Sequence, residues 1–195
     1  NTSYLRYFAV KKTNRNRAQA RNLRNTCITT LSNHPNNAIR NYMNCKPTIS
    51  FEFFPPKTER ARERLWQNVG MLSTLNPAFM TVTYGAGGST REWTVDTARR
   101  IQEDSGVPVA SHLTCIVTPK EEIARIADDL WQSGIRHIVA LRGDVPEGAN
   151  PPASDDPRYY HFSSNLVEGL LDRHPFEISV AAYPEKHPDA PSLEA

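Results

Sequence analysis

Two carboxylates in this chain have positions suited to chemistry. Glu52 lies between Phe51 and Phe53, with Phe54 beyond. In a strand, period two puts Glu52 and Phe54 on one face and Phe51 and Phe53 on the other. A carboxylate in an aromatic setting is desolvated, which favours its neutral form and suits it to general acid work. An ordinary Glu on the solvent side of a half-exposed strand carries equal weight. The second carboxylate, Asp144, ends Leu141-Arg142-Gly143-Asp144 after the apolar run 135–140. A β-branched run closing in an acidic turn reads as a buried parallel strand that delivers a carboxylate to its C-terminal tip. Asp after Gly is also a common turn residue, and taken alone that reading is preferred. Two carboxylates in unlike environments can hold different protonation states, one as acid and one as charge.

Other motifs carry less. In Thr83-Tyr84-Gly85-Ala86-Gly87-Gly88-Ser89-Thr90, Gly85 and Gly87 fit G-x-G. Thr90 stands where a dinucleotide fingerprint needs Gly or Ala, so a turn feeding a capped helix is the better reading. His112 and His187 have no second His or Cys at metal-ligand spacing, so no metal is expected. No nucleophile elbow supports Ser-His-Asp chemistry. Cys115 follows a strand pattern and reads as a packing residue.

Positioning these residues calls for alternating strands and helices. Strands are expected at about Thr48–Phe54, Phe79–Tyr84, Val107–Thr114, Ile135–Leu141 and Glu177–Tyr183. The first helix, about Thr58 to Leu75, has Leu65, Val69 and Leu72 on its apolar face. Ser89 with Glu92, and Thr118 with Glu121, have capping-box spacing, and Pro119 sits at a favoured first helical position. The helix after Pro119 buries Ile123, Ile126, Ala127 and Leu130 and stops at Gly134, and a short helix is expected around Ser164–Leu171. Five strands with four helices between them suit a doubly wound sheet or a β/α barrel. Polar residues at several strand ends, in place of one phosphate loop, favour the barrel.

Charge divides the chain. Residues 1–50 hold nine Lys/Arg, ten Asn and no acid, whereas residues 51–195 hold fourteen Lys/Arg and twenty-one Asp/Glu, for 14 − 21 = −7. An acidic body argues against a nucleic-acid partner. Residues 1–47 read as a basic, Asn-rich leader, disordered or outside the fold, with Met43 as a candidate translation start. A transit peptide is the weaker alternative. Cys27, Cys45 and Cys115 are an odd number without CxxC spacing, which suits a reducing compartment. No apolar run approaches a membrane span. A cytoplasmic protein without a membrane partner is expected.

Five ordered motifs carry a family resemblance. They are Ser50-Phe51-Glu52-Phe53-Phe54-Pro55-Pro56, Val82-Thr83-Tyr84-Gly85-Ala86, His112-Leu113-Thr114-Cys115, the segment 135–144, and Ala181-Ala182-Tyr183-Pro184-Glu185-Lys186-His187-Pro188. Together, over about residues 48–195, they closely resemble the bacterial-type methylenetetrahydrofolate reductases. The resemblance implies an α/β fold of the (β/α)8 TIM-barrel family. It implies FAD, reduced by NADH or NADPH, then reduction of 5,10-methylenetetrahydrofolate to 5-methyltetrahydrofolate in a ping-pong cycle. Glu52 would be the general acid that helps open the folate ring, and Asp144 the carboxylate near flavin and pterin. Thr83, His112, Leu141, Arg142, Gly143, Asp144, Ala181, Tyr183 and His187 fall on flavin-binding positions, and Arg142 suits phosphate oxygens. The family's flavin-stacking Tyr aligns with Phe162, close to Tyr159 and Tyr160. A complete barrel needs about 250 residues, so residues 48–195 are expected to be a barrel truncated after about five β/α units. A homo-oligomer is expected. The alternatives are an inactive half-barrel that only oligomerises and, more distantly, a flavin barrel related to proline dehydrogenase.

Overall fold

The fold was analysed in a computed structural model that describes residues 7–11, 49–84, 91–146 and 148–182. Its elements, in chain order, are β1 (Tyr7–Lys11), β2 (Ser50–Phe53), α1 (Glu59–Ser73), β3 (Phe79–Val82), α2 (Arg91–Ser105), β4 (Val109–Thr114), α3 (Lys120–Gln132), β5 (His137–Leu141), α4 (Ser163–Arg173) and β6 (Glu177–Ala182). One sheet holds all six strands in the order β1-β6-β5-β4-β3-β2. From β2 to β6 every pairing is parallel, as four intervening helices require.

The local chemistry accounts for most boundaries. Thr58 caps α1 by accepting from the Ala61 backbone N at 3.2 Å. Pro119 occupies the cap position of α3 and no side chain caps that end, so the helix opens one residue later than the expected capping box. Gly134, with φ at 82°, ends α3. Ser89 and the glycines of 85–88 lie outside the described residues.

Alternation along the strands sorts the side chains into two sets. Phe53, Met80, Val82, Val109, Leu113, Ile138, Ala140 and Ile178 join one core with Leu65, Val69, Ala98, Ile101, Ile123, Leu130, Leu166 and Leu170 from the helices. The other set carries Glu52, Thr81, Ala110, His112, Thr114, His137, Val139, Leu141 and Ser179, and no described helix packs there. That second face is the interior side in a β/α barrel.

At the end of the sheet where the parallel strands begin, an aromatic and charged cluster closes the core. Trp131 stacks on His174 at 4.9 Å and meets Phe176 edge-on at 5.2 Å, with the Arg136 guanidinium 3.8 Å over its ring. Asp128 pairs with Arg173 and accepts from, or pairs with, His174 Nε2 at 2.7 Å. Arg173, then His174, hold the Asp128 carboxyl down from its ordinary 3.8 to about 2.

The leader departs from the sequence expectation. Tyr7–Lys11 runs antiparallel along β6, from Tyr7 opposite Ala182 to Lys11 opposite Ile178. The sequence reading assigned no element to residues 1–47 and left this edge open. Tyr-Phe-Ala-Val is β-prone, but so short a run among Asn and basic residues gives no period of its own. It becomes a strand by pairing with an unfilled edge.

Two outcomes are expected. Leu130→Ala, at a fully buried site, should cost about 2–5 kcal/mol in urea unfolding, whereas Met71→Ala at an exposed site should stay within about 0.5 kcal/mol. Asp128 is depressed on folding, so its contribution to stability is present above 3.8 and lost as pH falls toward about 2. Asp128→Asn should therefore destabilise the protein at pH 6 and converge on the parent near pH 2, as read by denaturant midpoints.

Candidate functional site

The site is built where the parallel strands end. Register places Glu52 beside Thr81, Thr81 beside Ala110 and Ala110 beside His137. His112 lies two residues further along β4, on the same face as Ala110. From there its Nε2 is 3.3 Å from Glu52 Oε2, across the intervening β3. The two atoms are within ion-pair distance without the alignment of a hydrogen bond. The His112 side chain is 2 % exposed and that of Glu52 31 %. The expected aromatic setting of Glu52 differs from the observed one. Phe53 is buried in the helix-side core, Phe51 packs against it, and Phe54 is 73 % exposed. The close partner of Glu52 is an imidazole that no sequence spacing announced.

Beside this pair, Thr81 is buried and its Oγ1 has no hydrogen-bond partner among the described residues. Thr83 continues the ladder beyond β3, donating its backbone N–H to Phe53 O at 2.9 Å. Its carbonyl accepts from Thr94 Oγ1 at 3.4 Å.

The loop after β5 is held by its backbone. Arg142 O accepts from the N–H groups of Cys115 at 3.2 Å and Ile116 at 2.9 Å, which leaves the Arg142 side chain exposed at the rim. Gly143 follows with φ at 80°, and a Cβ there would sit 2.8 Å from Thr114 Cβ. Both the angle and the space require glycine. Asp144 is exposed one residue beyond, on the same C-terminal side as Glu52.

Phe162 reaches the rim through a second loop. Lys120 N donates to Arg158 O at 2.8 Å, Pro119 bridges Tyr159, and the Asp156 carboxylate takes both the side chain and the N–H of Arg158. The Arg158 guanidinium holds the Asp156 carboxyl down at about 2. Phe162 then stands at the start of α4 with its ring 64 % exposed. Cys115 lies beneath, fully buried, its Sγ donating weakly to Arg142 O at 3.9 Å and Phe162 O at 3.8 Å. Burial pushes its thiol up to about 11, which disfavours the nucleophilic thiolate and agrees with the packing role expected of it.

Leu141 is half-buried at the end of β5, and Ala181 is exposed near the end of β6. Tyr183 and His187 lie outside the described residues. Among the described residues, no cluster of three or more His, Cys, Asp or Glu could hold a metal, and no helix is long and apolar enough to cross a membrane. A cavity of about 520 Å³ lies elsewhere, bordered by Lys120, Asp155, Tyr160 and Glu168, and neither Glu52 nor His112 lines it. The Glu52–His112 face, which also carries the buried Thr81 hydroxyl, is the candidate site.

Comparison with known proteins decides the lineage of this arrangement. The family model for methylenetetrahydrofolate reductase matches residues 37–195. The chain belongs to the methylenetetrahydrofolate reductase family. The match begins eleven residues before the stretch that carries the sequence resemblance, inside the basic leader. The chain is 46 % identical over 147 residues to the 5,10-methylenetetrahydrofolate reductases of Pectobacterium carotovorum subsp. carotovorum and Escherichia coli (strain K12). Those alignments cover 75 % of this chain and 47 % of each relative, so the chain spans about half the length of these proteins. A Zea mays relative, methylenetetrahydrofolate reductase (NADH) 1, is 37 % identical over 74 % of this chain and 25 % of its own.

The buried thiol yields a direct test. In the folded protein at pH 8, Cys115 should resist iodoacetamide and label fully in urea, read by peptide mass spectrometry. Rapid native labelling would show a thiolate that this packing does not allow.

Proposed function

We propose that residues 48–195 form the first five β/α units of a (β/α)8 barrel that reduces 5,10-methylenetetrahydrofolate to 5-methyltetrahydrofolate. FAD would be the resident cofactor and NADH or NADPH the reductant. The observation that carries this reading is Glu52 Oε2 at 3.3 Å from the buried His112 Nε2, on the sheet face opposite the helix-side core and within the family match. The Zea mays relative, methylenetetrahydrofolate reductase (NADH) 1, carries NADH in its name, which favours that reductant.

The described residues fit a flavin. The unsatisfied Thr81 hydroxyl is a buried polar atom beside Glu52, and the glycine-only turn at Gly143 follows β5. Leu141 and Ala181 offer apolar floor, the exposed Arg142 guanidinium suits diphosphate oxygens, and the exposed Phe162 ring is available to stack. Thr83, His112, Gly143 and Asp144 complete the binding set, with Tyr183 and His187 from beyond the described residues. A bound flavin would supply the hydride.

The acid–base work falls to the chain. Glu52 delivers a proton to the folate nitrogen whose bond to the methylene carbon opens, and its partly exposed side chain can regain one from solvent. Asp144, kept in water at the rim, supplies the fixed negative charge that favours a cationic folate and tunes the flavin. This reading makes the protein a cytoplasmic homo-oligomer of one-carbon metabolism that supports methionine supply, with no nucleic-acid or membrane partner.

A second reading has its own observation. β1 occupies the β6 edge on which a further parallel strand would have to pair. Such a half-barrel would hold no flavin and would persist only as an oligomer. Flavin content separates the two: after addition of FAD and removal of excess, the enzyme reading expects stoichiometric bound flavin absorbance. A flavin-free, concentration-dependent oligomer supports the second reading.

In the flavin-loaded protein, Glu52→Gln should keep flavin reduction by NADH and lose about 10²–10⁴-fold in folate reduction. Stopped-flow measurement of the two half-reactions checks this, and equal loss of both would remove Glu52 from the acid role.

A further inference from the structure

We propose that His112 is a positioning residue for Glu52, holding its carboxyl at the rim and stabilising the carboxylate left when Glu52 gives up its proton. The proposal rests on the acid role assigned above. Its observation is geometric: a 2 % exposed imidazole, fixed mid-strand on β4, presents Nε2 3.3 Å from a carboxylate on β2 that would otherwise be free to swing at a sheet edge. Among the described residues, β2 is the edge strand on its side of the sheet. A modest rotation of the half-exposed glutamate would align the two atoms, a tightening expected on substrate binding.

The proton balance is simple. The Glu52 O–H bond breaks and an N–H bond forms on the folate nitrogen. That nitrogen keeps the electron pair of the C–N bond that opens. The new carboxylate accepts from His112 Nε2–H, a charge-assisted hydrogen bond that strengthens as the charge develops.

Other groups facing the pair are few. Among the described residues, β3 turns Phe79, Thr81 and Thr83 to this face, none of them charged. β5 contributes His137, which shares a 2.7 Å hydrogen bond with Ser179 and which burial keeps below its ordinary value. β6 adds Glu177, beside His137, and the loop after β5 adds Arg142 and Asp144 at the rim. Among these and Glu52, the carboxylate recorded at ion-pair distance from His112 is Glu52.

The first test needs no cofactor. NMR titration of the His112 ring in the full chain is compared between the parent and Glu52→Gln, a near-isosteric change at a partly exposed side chain. The midpoint is expected to move to lower pH once the neighbouring negative charge is gone. An unchanged titration, or none in either protein, overturns the proposal. The second test uses flavin-loaded protein with the flavin reduced beforehand. His112→Gln should displace the pH profile of folate reduction and lower its maximum by about tenfold or more. A parental profile in His112→Gln, with Glu52→Gln inactive, overturns this inference alone. Parental folate reduction by Glu52→Gln overturns the functional reading beneath it.

Discussion

The parallel hydrogen-bonded register from β2 to β6 is the constraint on which everything else in this molecule rests. It lines up Glu52, Thr81, Ala110, His137 and Glu177 across five strands, and so places all their side chains on one face. A slip of one residue at any pairing would turn that strand's polar set into the helix-side core and its apolar set outward. Met80, Val82, Leu113, Ile138 and Ala140 prevent such a slip, because each is fully buried among the helices. Hydrophobic burial on one face thereby sets the positions of the acid and the imidazole on the other.

The rim is organised by backbone groups more than by side chains. Arg142 turns its carbonyl inward onto the N–H groups of Cys115 and Ile116, and its own side chain outward. Gly143 packs where no Cβ fits against Thr114, which brings Asp144 around the corner of the strand. Cys115 joins this loop to the one carrying Phe162, and burial there pushes its thiol up to about 11. The loops after β4 and β5 and the start of α4 thus form one connected layer above the sheet.

The edge of the sheet follows a different logic. A parallel strand pairs with its neighbour only after a crossover, whereas an antiparallel strand can come from any segment of suitable length. Residues 7–11 use that freedom along β6, and the ladder they complete satisfies main-chain groups that would otherwise face solvent. Five leader residues therefore enter the sheet while making no demand on the leader's composition.

Alternation of strand and helix, the helix-side cores of α1 and α3, the stop at Gly134 and the packing role of Cys115 were all legible in the amino-acid sequence. Each is set by local period or local backbone preference. Glu52 and Asp144 were legible as candidates for the same reason, since one interrupts an apolar run and the other closes a turn just after one. Membership of the family was legible too, in five motifs kept in order. Tertiary structure alone decided that Glu52 would meet His112 and not an aromatic wall, because sixty residues and a whole intervening strand separate the two in the chain. It also decided that Tyr7–Lys11 would be a strand, and that Arg142 would clamp one loop with its carbonyl while exposing its charge. Local sequence sets the direction in which a side chain leaves its strand; the register of the assembled sheet sets what that side chain faces.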